Sequence, residues 1–262
     1  MSYKSIEVEK QNKGVTWLYI NNEPVNAIDD ILMDELEEAA DQLENDKETR
    51  VIVIASRHEK IFLAGADLKG LMAGTGPSDD GSDPIAMQSE RMQRCFDRFA
   101  RLKKPVIAAI NGHAFGGGCE LALACDFRIM SEGKIGLTEL SLGIIPGAGG
   151  TQRMVQVVGR AKAIDLIFHA KRLTKEEAYE IGLITKAVDN LEEETTEFAE
   201  RLADGAINSM GLAKQAINAA HDLSMEEGLK EEAKLFSETF TSDEPAIGLA
   251  AFFQKEKPNF NM

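Results

Sequence analysis

The spacing of apolar residues changes several times along this chain, and each change predicts an element. Ile6-Glu7-Val8 alternates and Val15-Thr16-Trp17-Leu18-Tyr19-Ile20 is nearly all apolar, with Asn12-Lys13-Gly14 between them as a hairpin signal. Across 29–43, Ile31, Leu32, Leu36, Ala39, Ala40 and Leu43 recur at helical spacing with acids opposite, which predicts an amphipathic helix. Val51-Ile52-Val53-Ile54-Ala55 is short, unbroken and rich in β-branched residues, the pattern of a strand buried on both faces. Residues 85–102 read as a helix and 105–110 as a second buried strand, and 127–130 and 184–188 add further strand candidates. Strand and helix in alternation predict a βαβ architecture with right-handed crossovers.

From Leu191 onward helical stripes dominate. Thr174-x-x-Glu177 and Ser224-x-x-Glu227 are capping-box patterns that mark helix starts. The expected division is a β/α core over 1–189 that carries the site and a helical region over 190–262. Within the core the stretch 70–83, rich in Gly, Asp and Ser, predicts a long loop of the kind that is functional or mobile. No internal repeat is visible.

Composition narrows the class. The chain has 262 residues, 44% hydrophobic and 28% charged, enough for one large α/β domain or a domain with a smaller appendage. Its net charge of −15 repels polyanions, and no basic stripe offsets it, so no nucleic-acid partner is expected. No apolar run approaches the roughly 20 residues of a membrane span. The first residues lack a signal-peptide layout, and Glu7 and Glu9 argue against a transit peptide. Cys95, Cys119 and Cys125 are an odd set without CxxC spacing, read as reduced buried thiols, so a cytoplasmic location is expected. His58, His113, His169 and His221 are scattered, and no metal site is expected.

Two glutamates stand out from this background. Glu120 follows Gly116-Gly117-Gly118-Cys119 and opens the apolar run 121–125, and Glu139 precedes Ile145-Pro146-Gly147-Ala148-Gly149-Gly150. A carboxylate at the mouth of a buried helix pays desolvation, which raises its pKa toward the range useful for proton transfer. An ordinary first-turn acid is the bland reading of Glu120, but the all-apolar helix after it leaves no solvated face. Glu139 alone leaves both readings open. Asn111-Gly112-His113-Ala114-Phe115-Gly116-Gly117-Gly118 lies between a buried strand and a buried helix, where free N–H groups suit one small oxyanion. It is neither GxGxxG nor a P-loop. The segment 62–68 could be a second donor loop or a plain surface turn. Asp126 is expected to bond backbone N–H groups at a turn, and Cys119, Cys125 and His113 are expected in the core.

These motifs resemble the enoyl-CoA hydratase (crotonase) family. The resemblance rests on Ala64-Gly65-Ala66-Asp67, on Asn111 through Ala122 and on Glu139 through Arg153, and it runs from Pro24-Val25-Asn26-Ala27 to Phe252-Phe253-Gln254-Lys255. It implies an α/β fold, a spiral of ββα units with two roughly perpendicular sheets and a C-terminal helical trimerisation region, assembled as a hexamer from two trimers. It implies reversible syn hydration of a 2-enoyl-CoA thioester to 3-hydroxyacyl-CoA with no cofactor beyond the substrate's coenzyme A. By resemblance Glu120 is the base and Glu139 the acid, and the backbone N–H groups of Ala66 and Gly117 form the oxyanion hole. CoA is expected along Pro24, Val25, Ala64 and Leu68, with Phe236, Phe252 and Lys255 of a neighbouring subunit at its far end; an exposed tail lysine is the bland reading of Lys255. The acyl pocket is expected from 71–95, Leu140 and Leu142. The 18 residues between the two glutamates are one fewer than the common hydratase spacing, so a turn near Gly133-Lys134 is expected to absorb the deletion. An enoyl-CoA isomerase or another crotonase-type lyase is the near alternative, and a non-catalytic RNA-binding or scaffold protein the distant one. Two acids beside an oxyanion turn favour hydration.

Overall fold

A computed structural model describes residues 3–66 and 83–261. The hairpin forms as expected: β1 (Ile6–Lys10) pairs antiparallel with β2 (Val15–Ile20), Ile6 opposite Ile20. Next come the short β3 (Ala27–Ile28) and helix α1 (Asp30–Asn45), whose N-cap Asp29 accepts the Leu32 N–H at 2.8 Å. Ile31, placed in the apolar stripe by spacing, is instead exposed at the first turn. Strands β4 (Val51–Ser56), β5 (Ile61–Leu63) and β6 (Gly65–Ala66) follow, then helix α2 (Pro84–Arg101), capped by Asp83. The rest of the expected 70–83 loop, together with Leu68, lies outside the described residues.

The same order then repeats. Strand β7 (Val106–Ile110) leads to β8 (His113–Phe115) and helix α3 (Gly117–Ala124); β9 (Phe127–Met130) leads to β10 (Ile135–Gly136), a 3₁₀ turn (Glu139–Leu142) and helix α4 (Gly150–Val158). After it come α5 (Arg160–Phe168), α6 (Lys175–Glu180), β11 (Lys186–Ala187), α7 (Leu191–Ala203), α8 (Ile207–Ala219), α9 (Met225–Thr239) and α10 (Glu244–Gln254). Among the described residues the strands form a six-stranded sheet ordered β1-β2-β4-β7-β9-β11, a three-stranded sheet β10-β8-β5 and the pair β3-β6. From β2 onward all recorded pairings between strands are parallel. Each turn of the chain therefore gives one strand to the large sheet, one short strand to a small sheet, and then a helix. This is a ββα spiral, and its consequence is that equivalent strand-to-helix junctions stack beside one another.

The large sheet is covered on both faces, which explains its unbroken apolar strands. Leu18, Ile20, Ile52, Ile54 and Ala108 face α1, α2 and α3 in one core. Val15, Trp17, Val53, Ile107 and Ala109 face the other way, against Ala199 and Ala203 of α7. The division expected at residue 189 is thus a change in element type rather than a gap in packing, because α7 closes the sheet's second face. The strand expected over 184–188 is shortened to Lys186–Ala187, because Arg128 of β9 takes up its lead-in: its Nε donates to the Leu183 carbonyl at 2.7 Å, and its backbone N–H to the Thr185 hydroxyl. Both capping boxes form, at Thr174 and Ser224. Among the described residues no helix is long and apolar enough to cross a membrane.

All eight residues of α3 are buried, and the helix lies so close to β5 that a Cβ on Gly118 would overlap the Leu63 carbonyl oxygen. Backbone cannot yield there as a flexible side chain could. Gly118→Ala is therefore expected to cost about 2–3 kcal/mol and to lower the thermal midpoint followed by circular dichroism; an unchanged midpoint would mean that the helix and strand can separate freely.

Candidate active site

The stacked junctions meet at one cleft of about 980 Å³. Ala64, Ala66, Gly117, Glu120 and Glu139 all line it. The two expected donor loops touch: a Cβ on Gly117 would begin 3.4 Å from the Gly65 Cα. Gly117 is the first residue of α3, where an N–H has no partner within the helix, and Ala66 closes β6 on the same cleft.

Glu120 is 2% exposed. Its Oε1 accepts the N–H groups of Ala148 and Gly150, each at 2.8 Å. These donors sit where the loop after the 3₁₀ turn enters α4, and the approach needs glycine: a Cβ on Gly150 would lie 2.8 Å from Glu120 Oε1. Burial pushes the Glu120 carboxyl up, while the two amides and the Arg153 guanidinium oppose that rise by favouring the ionised form.

Glu139 has the contrary surroundings. Its Oε1 lies 3.3 Å from where a side chain on Gly116 would begin, so it faces the start of α3. Its Oε2 is buried without a hydrogen-bond partner. Desolvation first, and then the negative charge of Glu120, push its pKa up to about 7. Glu120 Oε1 is held by two amides, whereas Glu139 Oε2 has no partner and a charge on Glu120 opposes ionisation of Glu139.

The remaining expected residues divide clearly. Pro24 and Val25 are exposed in the β2–β3 connection and are not among the cleft lining. Their neighbour Asn26 is the structural centre of that connection, 1% exposed, with Nδ2 donating to Ser56 Oγ at 2.8 Å and its carbonyl accepting the Ala64 N–H at 3.1 Å. Phe236 on α9, Phe252 on α10 and Lys255 just after α10 are exposed and are not among the cleft lining of their own chain. Leu142 and Met92 line the cleft; Leu140 and Cys95 pack into the core instead. His113 departs from expectation: it is exposed at the start of β8, its Nδ1 accepting the Lys134 N–H at 3.1 Å and its ring stacked on Phe115. The core position went to Ala114, because strand alternation turns His113 outward. Asp126 accepts the Val106 N–H and the Lys214 ammonium, and Cys119 and Cys125 are buried, their thiols pushed up by desolvation. The turn between β9 and β10 includes Gly133 at φ +81°.

The family model described as enoyl-CoA hydratase/isomerase matches residues 10–262. This chain belongs to the enoyl-CoA hydratase/isomerase family. Among its relatives, a protein named probable enoyl-CoA hydratase from Rhizobium meliloti is 39% identical over 99% of both chains. A mitochondrial enoyl-CoA hydratase from Pongo abelii is 37% identical over 99% of this chain and 88% of its own. A solved enoyl-CoA hydratase from Bacillus anthracis superimposes with a TM-score of 0.89 at 36% identity, covering 98% of this chain and 99% of that one. The ββα spiral is thus the crotonase fold of the enoyl-CoA hydratase/isomerase family.

The raised Glu139 pKa has a stability consequence. Its folded value of about 7 lies above the ordinary 4.5, so between those pH values the folded protein binds more protons than the unfolded chain. Its contribution is full below pH 4.5 and lost as pH rises through about 7. Glu139→Gln is expected to remove that decline and to gain on the order of 1–3 kcal/mol over wild type at pH 8. Urea melts at pH 5 and pH 8 would check it; a wild-type-like slope in the variant would refute it.

Proposed function

We propose that the chain hydrates the 2,3 double bond of a 2-enoyl-CoA thioester, giving 3-hydroxyacyl-CoA. The observation that carries this reading is a pair of buried carboxyls in one cleft with unlike partners, two amide donors on Glu120 Oε1 and none on Glu139 Oε2. Separated protonation states are what an acid–base pair needs near neutral pH.

In this reading the N–H groups of Ala66 and Gly117 bind the thioester oxygen. Glu120, ionised, takes a proton from water while the water oxygen bonds to Cβ. The π electrons move toward the thioester oxygen, and the enolate charge builds against the two amides, an interaction of the kind that is typically worth about 10²–10³ in rate. Glu139, protonated, delivers its proton to Cα. One water is added in sum, and exchange with solvent returns the pair to its starting state. The step as written needs no metal or redox cofactor.

The same reading assigns Pro24, Val25, Ala64 and Leu68 to the CoA moiety. The exposed aromatic pairs Phe236–Phe240 and Phe252–Phe253 support assembly, since large exposed apolar side chains favour cover by a second copy. Two trimers stacked as a hexamer, with Phe236, Phe252 and Lys255 reaching a neighbour's CoA, and a cytoplasmic location complete the proposal.

Purified protein is expected to bleach the near-ultraviolet absorbance of crotonyl-CoA in plain buffer. Glu120→Gln and Glu139→Gln should each lower kcat by about 10²-fold or more while CoA still binds; full activity in either variant removes that residue from the mechanism. Since Glu139 acts as the protonated form, kcat/KM for hydration should fall as pH rises through about 7. A profile flat to pH 9 would count against Glu139 as the proton donor.

A further inference from the structure

We propose that Arg153 is a positioning residue for Glu120, acting through the loop 146–150 and through its own charge, and that Asp97 moderates that charge. The proposal rests on the reading of Glu120 as the base. Its foundation is a chain of contacts that ends at the carboxylate. Arg153 projects from the first turns of α4, its side chain only 16% exposed. Its Nη1 donates to the Ala148 carbonyl at 3.1 Å, and its Nη2 to Asp97 Oδ1 at 3.3 Å. Ala148 is thus gripped at both ends, its carbonyl by Arg153 and its N–H by Glu120. Gly149, at φ +99°, leaves room for the guanidinium; a Cβ there would overlap Nη1.

Helix α2 braces the same loop from the other side. Ser89 Oγ donates to the Gly147 carbonyl at 2.6 Å and Gln93 Nε2 to the same oxygen at 2.8 Å. Ser89, Gln93 and Asp97 follow one another at intervals of four and so share a helix face. That face, with Arg153, sets the two amides that hold Glu120 Oε1. A loop rich in glycine would otherwise be free to move, and a shift of about 1 Å in a catalytic group can cost about 10² in rate.

Arg153 also acts on Glu120 through its charge. The ionisable groups facing Glu120 are Glu139 from the 3₁₀ turn, Arg153 from α4 and the buried Cys119 thiol of its own helix, with Asp97, Arg94 and Arg101 of α2 and His221 and Asp222 after α8 lining the same cleft. Arg128 sits at the far end of α3, donating to the Ala122 and Cys125 carbonyls, and β5 and β6 contribute no ionisable side chain. Arg153 is thus the cation whose field favours ionised Glu120, while Asp97, which also pairs with Arg101, partly neutralises it.

The test is the pH profile of crotonyl-CoA hydration by the full chain and three variants. Arg153→Gln should lower kcat about tenfold or more, change KM by less than about threefold, and move the acid limb of kcat/KM to higher pH by about half a unit or more. Asp97→Asn should move the same limb the other way, because the guanidinium charge is then less neutralised. Arg153→Lys should keep the limb near its wild-type position with kcat between the two. A lesion that only loosens the fold has no reason to shift the limb in opposite directions. Should Arg153→Gln fail to fold by circular dichroism, Asp97→Asn decides alone: a downward limb supports the proposal, and a fixed or upward limb overturns it. A limb unmoved in both variants, with Glu120→Gln inactive, ends the proposal and leaves the reading of Glu120 standing; wild-type hydration by Glu120→Gln ends the reading itself.

Discussion

A carboxylate inside a helix with no solvated face must find donors or lose its charge. In α3 every residue is buried, so Glu120 depends on the Ala148 and Gly150 amides that reach it from the next turn of the spiral. Removing an ion from water costs several kcal/mol, and close, well-aligned donors are what offset it. From that requirement much of the surrounding structure follows. The 146–150 loop must come within bonding distance, so Gly150 can carry no side chain. The loop must be held there, and α2 and Arg153 hold it.

The spiral is the reason these groups can meet. Strands β4, β7 and β9 lie side by side in the large sheet, and β5, β8 and β10 lie side by side in the small one. The chain that leaves each small strand therefore emerges next to the chain that leaves its neighbour. Ala66 follows the second turn, Gly117 and Glu120 the third, and Glu139 and Gly150 the fourth. Residues as distant along the chain as Ala66 and Glu139 share one cleft because the repeat brings like junctions together.

Identical side-chain chemistry diverges inside this cleft. Glu120 has two amide donors; the Oε2 of Glu139 has no partner. A buried, unpartnered oxygen is a cost to folding, and natural structures keep such groups where function uses them. It also makes the two carboxyls unlike, since the charge on Glu120 opposes ionisation of Glu139.

Much of this was legible in the residues. The runs at 51–55 and 106–110 announced strands covered on both faces, because a strand with no polar position has no side left for water. The two capping boxes and the stripe of α1 marked helices by local chemistry, and the glycines before Glu120, with its apolar helix after, marked a site. The short strands 61–63, 65–66, 113–115 and 135–136 left no trace in the pattern, since two or three residues carry no period and pair only with distant segments. So, too, with His113, turned outward by a strand too short to announce itself, and with the end of the core, which passes residue 189 because α7 covers the sheet. The sequence by itself determined which segments are buried and which acids border glycine turns, because hydrophobic spacing and glycine-bordered acids are properties of the local chain. Only the tertiary structure decided that Ala148 and Gly150 hold Glu120 while Glu139 Oε2 is left without a partner, because hydrogen bonds between turns of a spiral depend on where distant backbones come to rest.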